Sequence, residues 1–384
     1  MSLRVLQVLP RLSSGGVERG TLEIAKALVE DGHVAFVASS GGTLVDELRN
    51  NGGVHVLLPL HLKNPLSIFL NIFHICRIIK LHSINLIHAR SRAPAWSAYF
   101  ASKITGVPFV TTVHGAYGVS NRFKKLYNAV MLKGIKTIVV SKFILNYVVQ
   151  NYSVNSRKLV LINRGVDIKY FNPQNVSQER ILDIHNKIGI CNNQSKVILL
   201  PGRFTRLKGH LYLLDMLSIL QKRHTNNIDW TCIMVGDALG DHNTYVSEIK
   251  DALRSYHLEH RVKIVTTAIK DMPALYMVAD IVMVPSIKPE AFGRTIIEGQ
   301  AMGKVVVATT LGGVTEDAIH HGTSGFHIPV NDPLAAASIL HEALLLNPKQ
   351  PLEIGRVAME NVKLQYSLES MSRKTLDVYT GIHQ

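Results

Sequence analysis

Short apolar runs rich in Val, Ile and Leu recur along the chain at residues 3–9, 33–38, 54–58, 84–89, 108–113, 136–140 and 159–163, and again at 197–201, 230–235, 262–265, 279–284 and 305–308. They do not alternate apolar with polar residues, as expected of parallel strands covered on both faces. Between them, apolar positions fall at helical spacing over residues 17–30, 65–82, 94–105, 142–151, 210–222 and 244–256, and after Phe292, where Ile296, Ile297, Ala301 and Met302 share one side. Asp332 caps a further helical stretch reaching Leu346, and residues 368–382 read as a last helix. Residues 174–194 are polar and turn-rich and read as a surface connection. The pattern predicts an α/β chain of two doubly wound domains with parallel sheets.

Length supports that division, since 384 residues exceed one ordinary core. No stretch reaches eighteen clean apolar residues, and residues 1–10 lack the long apolar core of a signal peptide, so the chain is expected in the cytoplasm. Cys76, Cys191 and Cys232 are far apart and odd in number, which points to neither a disulfide framework nor a metal site. A formal charge of +14 favours an anionic partner: a phosphate-bearing molecule, an anionic lipid surface or a nucleic acid. The low aromatic content and the missing RNA-binding or finger motifs argue against nucleic acid.

Candidate chemistry lies where strands end. After the run ending at Val284 comes a loop carrying Glu290, then Gly293 and a helix carrying Glu298. Gly293 lets backbone approach a ligand, and the helix start after it suits an anionic group. Two glutamates at that spacing could equally be a loop carboxylate and an exposed helix carboxylate. Gly15 and Gly16 open a helix, but with Gly20 they do not form a dinucleotide fingerprint, and a tight turn explains them as well. His114 ends a strand, where open α/β sheets bind ligands, although it could simply cap a loop. Arg203 and Lys208 lie in Gly202–Gly209, which lacks P-loop spacing and could be a solvated loop. Arg90 and Arg92 follow the run ending at Ala89 and either face an anionic acceptor or are exposed loop arginines. No Asp-x-Asp occurs to bridge a metal, and His257-x-x-His260 has no convincing third ligand and reads as surface.

Pro289-Glu290-Ala291-Phe292-Gly293-Arg294 followed by Ile-Ile-Glu298-Gly-Gln-Ala-Met-Gly-Lys closely resembles the E-x7-E segment of family 4 retaining glycosyltransferases, which have the GT-B fold. Four further segments resemble that family in order: Gly15-Gly16-Val-Glu-Arg, Thr112-Val-His114-Gly-Ala, Asn163-Arg-Gly-Val-Asp167, and Gly202-Arg203 with Lys208-Gly209. Gly312-Gly313-Val-Thr-Glu316 and Gly322-Thr-Ser-Gly325 match its later, mainly structural, pattern.

The resemblance covers nearly the whole chain. It implies two Rossmann-like domains facing a central cleft: residues 1–168 on the acceptor side, with 367–384 packing back on them, and 169–366 binding the nucleotide sugar. It implies that Glu290 and the amides at Phe292 and Gly293 hold the donor sugar, that Glu298 binds the ribose, and that Arg203 and Lys208 hold the diphosphate. Arg294 joins that donor-binding set. His114 would contact the donor sugar, and Gly15 and Gly16 would lie against the diphosphate. The implied reaction retains anomeric configuration and takes a UDP- or GDP-linked sugar as co-substrate. The missing Asp-x-Asp adds that it needs no cofactor and no metal.

The acceptor is expected to be lipid-linked or of lipopolysaccharide type, reached by peripheral binding to an anionic bacterial inner membrane. This expectation rests on the net charge and on apolar residues Ile68, Phe69, Ile72, Phe73, Ile75, Ile79 and Leu81 interleaved with Lys63, Arg77 and Lys80, with Arg122, Phe123, Lys124, Lys125 and Tyr127 following. An amphipathic core helix is the competing explanation for that pattern. A non-catalytic nucleotide-sugar-binding module and a GT-B sugar-nucleotide epimerase are the competing functions.

Overall fold

The computed structural model describes residues 2–13, 15–189, 195–223, 228–237, 242–267 and 269–383. Cys191 lies outside the described residues; Cys76 and Cys232 are free. The chain forms two compact units, one of Met1–Gly165 with Leu368–Gln384 and one of Val166–Ser367.

The first unit is built on β1 (Arg4–Val8), β2 (Val34–Ser39), β3 (Val54–Leu57), β4 (Leu86–Ala89), β5 (Phe109–Val113), β6 (Lys136–Val139) and β7 (Leu159–Leu161). These form one sheet in the order β3-β2-β1-β4-β5-β6-β7, with every pairing parallel. The second unit repeats the plan with β8 (Lys196–Pro201), β9 (Trp230–Val235), β10 (Val262–Val265), β11 (Ile281–Val284), β12 (Val305–Thr309) and β13 (Phe326–Ile328), ordered β10-β9-β8-β11-β12-β13 and also parallel. Both are Rossmann-like sheets. In each, strand order reverses at one point, between β1 and β4 and between β8 and β11, and ligands of open α/β sheets bind outside the carboxyl ends of the strands there.

The absence of alternation along the strands has a direct cause in the second unit. Val305 and Val307 belong to the core on one face of the sheet, and Val306 and Ala308 to the core on the other. Neighbouring residues of one strand are thus all removed from water, each Val or Ile contributing roughly 1.5–3 kcal/mol.

The last helix, Leu368–Thr380, belongs to the first unit. Tyr379 is fully buried, and its hydroxyl lies 2.5 Å from Nδ1 of His88 on β4, whose Nε2 lies 2.7 Å from the Thr112 hydroxyl. Burial, with the Arg90 cation nearby, holds this histidine well below the ordinary imidazole range.

Residues 174–194 are not simply a surface connection. Gln178–Ile188 is a helix capped by the Ser177 side chain, which accepts from the Arg180 amide, and ended by Gly189 in the left-handed region. Ile184 and Ile188 are buried in the core of the second unit, and Ile181 packs against it. Further helices at Met272–Val278 and Lys349–Gln365, and the strand β13, also lie beyond the apolar pattern as first read.

Candidate functional site

In the second unit the loops after β8 and β11 flank the point where strand order reverses. They are joined directly. Ile287 donates its amide to the Leu207 carbonyl at 3.0 Å. Gly209, at φ +72°, brings its Cα so close to the Pro285 carbonyl that a Cβ would overlap that oxygen. Gly209→Ala is therefore expected to cost at least about 2 kcal/mol of stability, from the left-handed backbone plus the overlap. A urea unfolding midpoint unchanged by the substitution would contradict this close approach.

The joined loops bring together side chains far apart in sequence. Lys208 Nζ donates to both carboxylate oxygens of Glu290, at 2.9 and 3.0 Å, and the Ser286 hydroxyl donates to Glu290 Oε1 at 2.6 Å. The Lys208 and Glu290 side chains are only 16% and 20% exposed, so the pair is mostly shielded yet reachable. Arg203 lies on the same loop as Lys208, but it is exposed and makes no ion pair among the described residues.

The backbone around Glu290 is held from the far side by the turn at Gly312 and Gly313, both in the left-handed region. Glu290 forms a parallel bridge with Gly312, and Val314 donates its amide to the Phe292 carbonyl at 2.8 Å. The Phe292 ring is buried and packs near Tyr366, so any ligand contact from this residue comes from its backbone. Gly293, at φ +90°, precedes the helix Arg294–Ala301. Within that helix Glu298 accepts from the Tyr276 hydroxyl at 2.9 Å and lies 3.3 Å from Arg294 Nε. Burial, with the Glu298 charge beside it, raises the Tyr276 phenol well above its ordinary range, so it stays a neutral donor. Glu298 is thus held in position, as is Glu290.

In the first unit, Gly15 precedes and Gly16 opens the helix Gly16–Glu30, after β1. Arg90 directly follows β4 and His114 directly follows β5. Arg90 is 5% exposed, so it is not an exposed loop arginine. Arg92 is not one either: it donates to Asn128 Oδ1 at 2.9 Å, and its guanidinium sits 4.3 Å from the Tyr117 ring centre, which fastens the segment after β5. Its place beside Arg90 is taken by Arg164, which donates to the Gly16 carbonyl. Both ring nitrogens of His114 are buried without a hydrogen-bond partner among the described residues. Burial, then the Arg90 and Arg164 cations and His88, hold this imidazole well below its ordinary range, so it is neutral at physiological pH.

Ser286, Tyr276 and Arg164 escaped the reading of the sequence. Ser286 sits two residues after the strand that leads to Glu290, and Arg164 sits inside a segment marked only by its family resemblance; Tyr276 carries no signal. His257 and His260 are both exposed. Among the described residues no three His, Cys, Asp or Glu side chains gather into a metal-holding group.

Residues 14–170 match the family described as Glycosyltransferase Family 4, and residues 195–345 match Glycosyl transferases group 1. A crystal structure of a glycosyltransferase from Rickettsia africae ESF-5 is 40% identical, with 100% of this chain and 99% of that one covered and a TM-score of 0.91. Anabaena HepE, crystallised with UDP and glucose, is 21% identical with a TM-score of 0.83, covering 99% of this chain and all of that one. WaaG, a glycosyltransferase involved in lipopolysaccharide biosynthesis, is 15% identical with a TM-score of 0.73, covering 98% of this chain and all of that one. Two Rossmann-like units with these neighbours define a GT-B fold. The chain belongs to the family 4 glycosyltransferases.

Proposed function

We propose that the chain transfers a sugar from a nucleoside diphosphate sugar, with retention of configuration and without a metal, and that its donor site is the cluster around Glu290 in the second unit. The observation that carries this reading is the Lys208–Glu290 pair at the strand reversal, beside the helix start at Gly293. Sugar transfer leaves negative charge on the departing diphosphate, and a fixed cation with helix-start amides stabilises it electrostatically. Lys208 and Arg203 supply that charge, and Arg294 lies one turn from Glu298 on the same helix. Glu290 orients the sugar through its hydroxyls, and Glu298 binds the ribose.

Retention follows from front-face attack, in which the leaving phosphate accepts the proton of the acceptor hydroxyl. No enzymic nucleophile is then required. The UDP bound by HepE supports a uridine or similar nucleotide. The charged residues of the cluster argue against a non-catalytic module. Transfer from labelled donor should continue undiminished in excess EDTA; loss on chelation, restored by Mg²⁺ or Mn²⁺, would overturn the metal-free step.

The acceptor, in the same reading, is lipid-linked or of lipopolysaccharide type and is met at an anionic membrane from the cytoplasmic side. The helix Pro65–Leu81 supports this because it is apolar on two sides. Ile72, Ile75, Ile78 and Ile79 are buried, while Leu66, Phe69, Phe73 and Leu81 are exposed, as are Phe123 and Leu126 on the helix Arg122–Asn128. Lys63, Arg77, Lys80, Lys124 and Lys125 are exposed among them. Apolar side chains ringed by cations match the interfacial layer of an anionic bilayer. No helix among the described residues is long and apolar enough to cross a membrane. Sedimentation with vesicles should show binding that needs anionic lipid, weakens as salt rises and falls when Lys124 and Lys125 are changed to Glu. A protein that ignores anionic vesicles at low salt has a soluble acceptor.

A further inference from the structure

Between Glu47 and Asp167 the sequence carries no Asp and no Glu, while Lys and Arg recur throughout that stretch. Its surface therefore shows one sign of charge, with Lys63, Arg77, Lys80, Lys103, Lys124 and Lys125 all exposed. Within it the helices Pro65–Leu81 and Arg92–Thr105 pack together, and near their starts lies a recess of about 460 Å³. Small-molecule sites span roughly 300–1,000 Å³.

The walls of this recess are hydrocarbon: Ile68, Phe69, Ile72, Trp96 and Phe100 line it. The one charged side chain lining it among the described residues is Lys63, which makes no ion pair there. The walls are also fastened. The Ser97 hydroxyl donates to the Ile68 carbonyl at 2.8 Å, tying one helix to the other. Trp96 Nε1 donates to the Tyr127 carbonyl at 3.2 Å, which satisfies the only polar atom of the indole, and Phe100 stacks on the ring at 6.0 Å between centres. A slot held open in this way needs little ordering when a ligand enters.

We propose that the recess takes one hydrocarbon chain of an anionic membrane lipid, with the headgroup anion at Lys63. A nucleic acid would use the cations but not a slot walled by Ile and Phe, and a neutral apolar ligand would use the slot but not the cations. An anionic lipid uses both. The bilayer as source rests on the membrane docking proposed above; the preference for an anionic amphiphile rests on the lining and the charge pattern alone.

The test uses the full chain and ω-bromododecanoate below its micelle concentration, with binding followed by tryptophan quenching. Of the two tryptophans, Trp230 is buried in the core of the second unit, so bromine carried into the recess quenches Trp96. Quenching should saturate, and Ile68→Phe, which fills the recess, should weaken binding at least about tenfold. Phe69→Gln strips one wall and should do the same; because Phe69 is exposed, this variant serves if the first fails to fold. Lys63→Met should weaken ω-bromododecanoate and leave ω-bromododecanol unchanged, since only the acid has a charge for Lys63 to meet. Binding indifferent to Ile68→Phe and Phe69→Gln overturns the proposal. So does a lipid-free chain that sediments as a dimer in the wild type and as a monomer in Phe69→Gln, which would put a second copy over the recess. Anionic vesicles with brominated chains should quench Trp96 as the free acid does. Vesicle binding without that quenching overturns the recess and leaves the docking standing; quenching by the acid in a chain that ignores anionic vesicles overturns the bilayer as source and the docking with it.

Discussion

Lys208→Ala is expected to lower turnover at least about a hundredfold, the scale for removing one preorganised charge stabiliser. The ammonium is fixed before any substrate arrives, by Gly209 behind it and by both oxygens of Glu290 in front. Little reorganisation is then needed as charge builds on the leaving diphosphate. A hundredfold loss is about 2.7 kcal/mol. Among the described residues the substitution also leaves the Glu290 carboxylate only the Ser286 hydroxyl to orient it, so the effect on kcat should exceed that on KM. Steady-state kinetics that reveal a changed KM with an intact kcat would mean that Lys208 only binds the donor.

Glu290→Ala should be more damaging still, on the order of a thousandfold in kcat/KM, as the loss of two charge-assisted hydrogen bonds of about 2 kcal/mol each would give. The Lys208 ammonium and the Ser286 hydroxyl hold the carboxylate, and the Gly312 bridge holds the backbone beneath it, so a substrate hydroxyl meets an acceptor already aimed. Glu290→Gln, which keeps the shape and one acceptor oxygen, should recover part of the loss. Equal kinetics for Glu290→Ala and the wild type would remove this residue from the site.

Much of this arrangement was legible from local pattern. Strands covered on both faces announce themselves as unbroken β-branched runs, and the positions of Lys208 and Glu290 in strand-end loops followed from where those runs stop. What could not be read was contact across the sheet. Lys208 and Glu290 are 82 residues apart, and only the order β8-β11 makes their loops neighbours. The contacts of Arg92 were equally out of reach: no local spacing announces that the Tyr117 ring and Asn128 engage its guanidinium. The helix Gln178–Ile188 was hidden because its outer face is so polar that three isoleucines did not stand out, although the Ser177 cap and the Gly189 stop were both in view. Arg164 lies in a segment notable only for its family resemblance, and nothing local in the sequence shows that its side chain reaches the Gly16 carbonyl.

In the proposed function the second unit holds a nucleoside diphosphate sugar through the Glu290 and Glu298 cluster without a metal. Calorimetric titration of the full chain, in EDTA, against UDP- and GDP-linked sugars tests it most directly. At least one donor should bind saturably, and its free nucleoside diphosphate should bind the wild type and Glu290→Ala alike but Glu298→Ala at least about tenfold more weakly, the loss of one hydrogen bond to a charged group. Binding that appears only when a divalent cation is added, or a nucleoside diphosphate affinity indifferent to Glu298, would contradict the account.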